Sequence, residues 1–207
     1  MISLLIDTTT SNITVSIVKD QNILYKYQEN ILSDMSSKIL PIIDSGLKES
    51  KLTLEDIDKI FVANGPGSFT GIRVGVTVAK TIAWALKKDI IPLSSLELMA
   101  TTNTPKKYIV PIIDARRGNV FAGIYDTEIN LIKEDKLINL KELIAELNDD
   151  YEFISYDNIN LDAIKPNIDI LKIINKHIND QGINPHNSNP NYLKLTEAEE
   201  NRKKLGN

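Results

Sequence analysis

Residues 60 to 75 read Ile60-Phe-Val-Ala-Asn-Gly-Pro-Gly-Ser-Phe-Thr-Gly-Ile-Arg-Val-Gly75, and such a loop of glycines and hydroxyls could grip a phosphate or present a nucleophile. Each of these chemistries demands its own spacing. A Walker loop needs a lysine directly after its last glycine, whereas Gly71 is followed by Ile72 and Arg73. A dinucleotide fingerprint needs Gly-x-Gly-x-x-Gly, and Gly65, Gly67 and Gly71 run one residue too long for it. A nucleophile elbow needs glycines two before and two after its serine, where Ser68 has Pro66 and Thr70. Ser68 therefore reads as the N-cap of a helix. Histidine chemistry is no better served, because His177 and His186 are the only histidines and neither pairs with a second ligand at helical spacing. With no cysteine to supply thiolate, the chain is expected to hold no metal and no cofactor.

Two aspartates carry the other chemical signal. Placing Ile2 to Val18 over Ile109 to Tyr125, an offset of 107 without gaps, puts Asp7 on Asp114, Asn12 on Asn119 and Ile17 on Ile124. Each copy reads as a strand ending in aspartate, a polar turn and a returning strand of alternating apolar residues, and such self-similarity indicates internal duplication.

Around the hairpins the pattern predicts strands near 2 to 7, 12 to 18 and 22 to 28, a helix near 35 to 50, a strand at 59 to 63, a helix over 68 to 87, a strand at 89 to 93 and a helix from Ser95. The second half repeats the hairpin and then thins out, with a helix near 140 to 148, a strand at 152 to 156 and a helix near 169 to 180. Residues 184 to 191 read as a linker and 197 to 207 as a frayed helix. These elements divide into an N-terminal domain over 1 to 103 and a reduced second domain over 104 to 189, with 190 to 207 expected to pack back on the first.

Two half-size α/β domains, each opening with an aspartate-ended hairpin, describe the actin-like ATPase architecture (ASKHA, ribonuclease H-like). In that architecture the hairpins cradle phosphates across a cleft and carboxylates hold magnesium. The match is partial. The turn Asp7-Thr8-Thr9-Thr10 lacks the glycine that lets amides close on a phosphate, and Asp114-Ala115-Arg116-Arg117-Gly118 offers two arginines that either hold an anion or face water. Asp7, Thr8, Thr9 and Asp114 are thus read as a vestigial nucleotide cleft and no residue as catalytic. A stand-alone actin-like ATPase or phosphotransferase is the alternative reading.

Partner binding is read from the two long helices. Gly71, Gly75, Ala79 and Ala83 recur at i+4 and form a small-residue stripe flanked by Val74, Val78 and Ile82. Interior glycines cost a helix about 1 kcal/mol each relative to alanine, so close packing must compensate. The first helix adds Ile39, Ile43 and Gly46. The predicted interface is Ile39, Ile43, Gly46, Gly71, Val74, Gly75, Val78, Ala79 and Ile82, with packing on the chain's own sheet as the competing account. An apolar helix face of this kind is expected to form a homodimer when its partner is absent.

Composition narrows the partners. Formal net charge is −4 and the apolar fraction 42%, so the chain lacks the basic footprint of a stand-alone nucleic-acid binder. No run of 18 apolar residues appears, and Asp7 follows the apolar start at once, so neither a membrane span nor a signal peptide is expected and the cytoplasm is the default compartment.

Four segments together carry a family resemblance: Leu5-Ile6-Asp7-Thr8-Thr9-Thr10, Gly65 to Gly75, Asp114-Ala115-Arg116-Arg117-Gly118-Asn119-Val120-Phe121, and Pro190-Asn191-Tyr192-Leu193-Lys194. The chain resembles the TsaB family, formerly YeaZ, nearly end to end. The resemblance implies an actin-like fold with a shrunken second domain and a part in making threonylcarbamoyladenosine in tRNA, at the adenosine beside the anticodon. It implies a non-catalytic partner for the paralogue TsaD, which binds the metal and transfers the threonylcarbamoyl group, with the small ATPase TsaE joining them. Pairing is implied through the first two helices, and tRNA is reached only through the complex.

Overall fold

The computed structural model describes residues 1–31, 34–147 and 150–193. The expected frayed helix at 197 to 207 lies outside them. The first sheet grows from β1 (Ile2–Asp7), β2 (Asn12–Lys19) and β3 (Asn22–Asn30), joined antiparallel, with β4 (Lys59–Gly65) and β5 (Ile90–Ser94) added in parallel. Its order is β3-β2-β1-β4-β5. The second sheet uses β6 (Tyr108–Asp114), β7 (Asn119–Asp126), β8 (Leu131–Asn139), β9 (Tyr151–Ile154) and β10 (Ala163–Ile164). Its order, read from β8, is β8-β7-β6-β9-β10, the same plan as the first. Asp7 and Asp114 end β1 and β6, and Asn12 and Asn119 begin the returning strands. The duplication legible at an offset of 107 is therefore one of topology as well as sequence, and the fold is the actin-like one.

Strand alternation decides which layer each residue feeds. Leu4 and Ile6 pack with Ile39 and Ile43 of α1 (Met35–Glu49) and with Ile72 and Ala79 of α2 (Phe69–Leu86). Leu5 points the opposite way, into a core with Leu96 and Met99 of α3 (Ser95–Ala100) and Ile173 of α5 (Ile170–His177). Ile109 and Ile113 of β6 enter that same central core from the second sheet, while Val110 and Ile112 turn outward to Leu143 of α4 (Leu140–Glu146). The layers run α1 and α2, first sheet, α3 and α5, second sheet, α4. The outer layer of the second half is one seven-residue helix, against two helices of 15 and 18 residues on the first.

Two expectations are corrected. The second half does not thin out after its hairpin, because Leu131–Asn139 forms a nine-residue edge strand, and β10 adds a further short one. Charges at Lys133 and Glu134 suit an edge exposed to water, and with Asp135 and Lys136 they hide the strand's alternation. The segment at 184 to 191 is no loose linker: Pro185 and Ser188 are buried, and the amide of Asn191 donates to the carbonyl of Asn64 at 2.7 Å. No helix among the described residues is long and apolar enough to cross a membrane.

Candidate functional site

Asp7 ends β1 nearly buried, and its Oδ1 accepts from the Thr9 amide at 2.8 Å and the Thr9 hydroxyl at 2.7 Å. Burial raises its carboxyl above the usual range, and the two Thr9 hydrogen bonds oppose that rise. The carboxylate thus ties its own turn together. Thr8, fully buried, donates its hydroxyl to the Gly71 carbonyl at 2.7 Å, and the Ser68 amide donates to the Thr9 carbonyl at 2.7 Å. Cβ atoms added at Gly67 and Gly71 would overlap the carbonyl oxygens of Thr9 and Thr8, and one at Gly75 the Thr8 hydroxyl. Ser68 caps α2 by accepting from the Gly71 amide at 3.3 Å.

The small-residue stripe therefore seats the chain's own first hairpin turn. This corrects most of the predicted interface: Gly71, Gly75, Ala79 and Ile82 are buried against the first sheet, as are Ile39, Ile43 and Gly46 of α1, with Gly46 against the ring of Tyr25. Val74 and Val78 are half-buried at the margin of that core. The outer surface of α2 is instead Arg73, Thr77, Thr81 and Trp84, with Trp84 65% exposed. On α1 the exposed apolar residue is Leu40, at 56%.

Across the cleft, the Asp114 carboxylate accepts from the Arg116 amide at 2.8 Å, and the Asp114 amide donates to Asp157 at 2.7 Å. Burial, with the charge of Asp114 adding to it, raises the Asp157 carboxyl, and the amide bond works the other way. Asp157 escaped the sequence reading. The signal for it is topological: β9 runs parallel to β6, so a residue just past its end arrives beside the β6–β7 turn. Between the two turns lies a cleft of about 640 Å³, lined among others by Thr9, Thr10, Ser68, Asp114, Arg116 and Asp157. One wall comes from the C-terminal segment, where Tyr192 stacks on Phe69 at 4.2 Å and its hydroxyl accepts from Arg73 Nε at 2.8 Å.

A magnesium nucleotide does not fit these residues. Of the two matched aspartates, Asp7 is turned into its own loop; the Thr9 carbonyl accepts from Ser68 and the Thr8 carbonyl packs against Gly71. Among the described residues no group of three His, Cys, Asp or Glu could hold a metal ion. His177 sits between Glu97 and Asp180, and His186 lies in the 3₁₀ turn Pro185–Asn187.

The class is thus an actin-like protein of two like-ordered sheets, with a cleft between its two aspartate-ended turns. The family model described as TsaD, tRNA N6-adenosine threonylcarbamoyltransferase, matches residues 29–163. The tRNA threonylcarbamoyladenosine biosynthesis protein TsaB of Bacillus subtilis is 36% identical over 135 residues, covering 65% of this chain and 59% of that protein. Its namesake in Buchnera aphidicola (from Schizaphis graminum) is 31% identical over 174 residues, covering 76% and 82%. A Pseudomonas aeruginosa crystal structure described as similar to peptidase YeaZ superposes with a TM-score of 0.81 over 93% of this chain and 99% of that one, at 22% identity. The chain belongs to the TsaB (YeaZ) family.

Proposed function

We propose that this chain acts in the biosynthesis of threonylcarbamoyladenosine in tRNA as a non-catalytic subunit. It binds a TsaD-type paralogue, which performs the transfer, and a TsaE-type ATPase joins the pair. tRNA is met through the assembled complex, and the chain pairs with itself when the paralogue is missing. One observation carries the reading: the groups that would do chemistry in an actin-like cleft, Asp7, Thr8 and the glycine segment, are bonded to one another. A surface for a partner remains on the outer sides of α1 and α2, where Leu40 and Trp84 stand in water.

The test is reconstitution of threonylcarbamoyl transfer to tRNA with the paralogue, the ATPase and this chain carrying Asp114→Ala and Asp157→Ala together. Activity is expected within about threefold of the unmodified complex, whereas removing a working acid or base typically costs about 10²- to 10⁴-fold. A loss on that larger scale with the complex still assembled would place chemistry in this cleft. ATP turnover by the purified chain alone would favour the stand-alone ATPase.

A further inference from the structure

Glu97 projects from α3 into the central layer and is only 8% exposed. Its Oε1 receives Lys176 Nζ at 2.7 Å and His177 Nε2 at 3.0 Å, both from α5. The other ring nitrogen of His177 lies 2.6 Å from Asp180 Oδ2. Ionised carboxylates only accept hydrogen bonds, so both contacts are made at once only when the ring carries protons on both nitrogens, as an imidazolium. Because α3 closes the first half of the chain and α5 the second, this cation ties one half to the other.

We propose that Glu97, Lys176 and His177 form a proton-dependent latch between the two halves of the molecule, closed while His177 is charged and loosened when it loses its proton.

The surroundings are accounted for element by element. On α5 and just beyond it stand Lys176 and Asp180. From β7, Asp126 acts on Lys176 through its charge, and the buried Tyr125 lies near Glu97. From β8, Asp135 is held by the Tyr125 hydroxyl at 2.7 Å and by Ser94, and it too feels Glu97. From β4, Lys59 Nζ donates to the carbonyl of Ile178 at the end of α5. Lys176 also donates to the carbonyl of Ile129 at 2.5 Å, so it is held independently of the imidazole.

The hydrogen bond to Glu97 raises the His177 value, burial opposes it, and Asp180 adds to the rise. Burial pushes Glu97 up, but the bonds from His177 and Lys176 outweigh it and hold the carboxyl below its usual value. A raised histidine contributes fully below its unfolded value, about 6.5, and loses that contribution as pH climbs through the folded value. A lowered glutamate contributes above its unfolded value, about 4.3, and loses it in acid. The latch is therefore closed at mildly acidic pH, between the unfolded values of the two groups, and opens as pH rises through the folded value of His177.

The experiment follows imidazole NMR signals of the full chain against pH, assigned with His186→Gln, beside urea midpoints and amide exchange of 170 to 177. His177 is expected to titrate above the ordinary histidine value. Each pH unit of elevation should correspond to about a tenfold loss in the folding equilibrium constant across the titration. Asp135, raised by burial, contributes with the same sign, so only the difference between wild type and His177→Gln is assigned to the latch. Titration at or below the ordinary value, or parallel pH profiles for wild type and variant, overturns the proposal. Should His177→Gln fail to fold, the wild-type titration and exchange decide it: exchange of α5 must quicken at the pH where His177 titrates, and exchange that does not move there overturns it.

Discussion

Gly71→Ala is expected to destabilise the chain by about 2 to 3 kcal/mol, although alanine for glycine inside a helix ordinarily gains about 1 kcal/mol. The added Cβ would overlap the carbonyl oxygen of Thr8 and stand 3.1 Å from that carbonyl's carbon, so backbone must move. Little there can give. Thr8 donates to Gly71 itself, Asp7 ties the same turn through Thr9, and the Ser68 amide holds the Thr9 carbonyl. Gly75→Ala is the milder neighbour, because its Cβ meets the Thr8 hydroxyl, which can rotate away at the cost of its bond to Gly71. With a urea slope of about 2 kcal/mol per M, Gly71→Ala should lower the unfolding midpoint by about 1 M or more, and Gly75→Ala by less. A Gly71→Ala protein as stable as the wild type would mean that the hairpin turn does not rest on this helix. Marginal stabilities of about 5 to 15 kcal/mol make the expected loss easy to measure.

The stripe also shows how far sequence reasoning reaches. Spacing at i+4 places Gly71, Gly75, Ala79 and Ala83 on one face of a helix, and that much is local geometry. It does not say what comes close to that face. Here the neighbour is a turn more than 60 positions earlier in the chain, and only the parallel pairing of β1 with β4 brings it there. Elements with a clean period were legible: β1 with its buried run, the returning hairpin strands, and α2 with its serine cap. β8 was not, because an edge strand with water on one side carries charge where alternation would otherwise appear. For the candidate site, Asp7 and Asp114 were legible from duplication. Asp157 and the Tyr192 wall required knowing which strand ends meet. The bond from Glu97 to His177 spans 80 positions and leaves no local trace at all.

Trp84→Asp is expected to leave folding within about 0.5 kcal/mol of wild type while weakening capture of the TsaD-type paralogue by about 30- to 1000-fold. At 65% exposure the indole is, among the described residues, the most exposed of the large apolar side chains, on a helix whose inner side is already filled by Gly75, Ala79 and Ala83. Removing it therefore opens no cavity. Buried at a protein interface, by contrast, a tryptophan commonly accounts for about 2 to 4 kcal/mol of binding, which sets the expected range. Thr81, Thr77 and Arg73 continue the same exposed face toward the start of α2 with polar groups suited to a rim. Ile132→Asp serves as the control, since Ile132 is 50% exposed on β8, in the opposite sheet. The same pair of variants, run alone in sedimentation, separates self-association through α2 from association through the β8 edge. Paralogue binding unchanged by Trp84→Asp but abolished by Ile132→Asp would move the interface from the helices of the first half to the edge strand of the second.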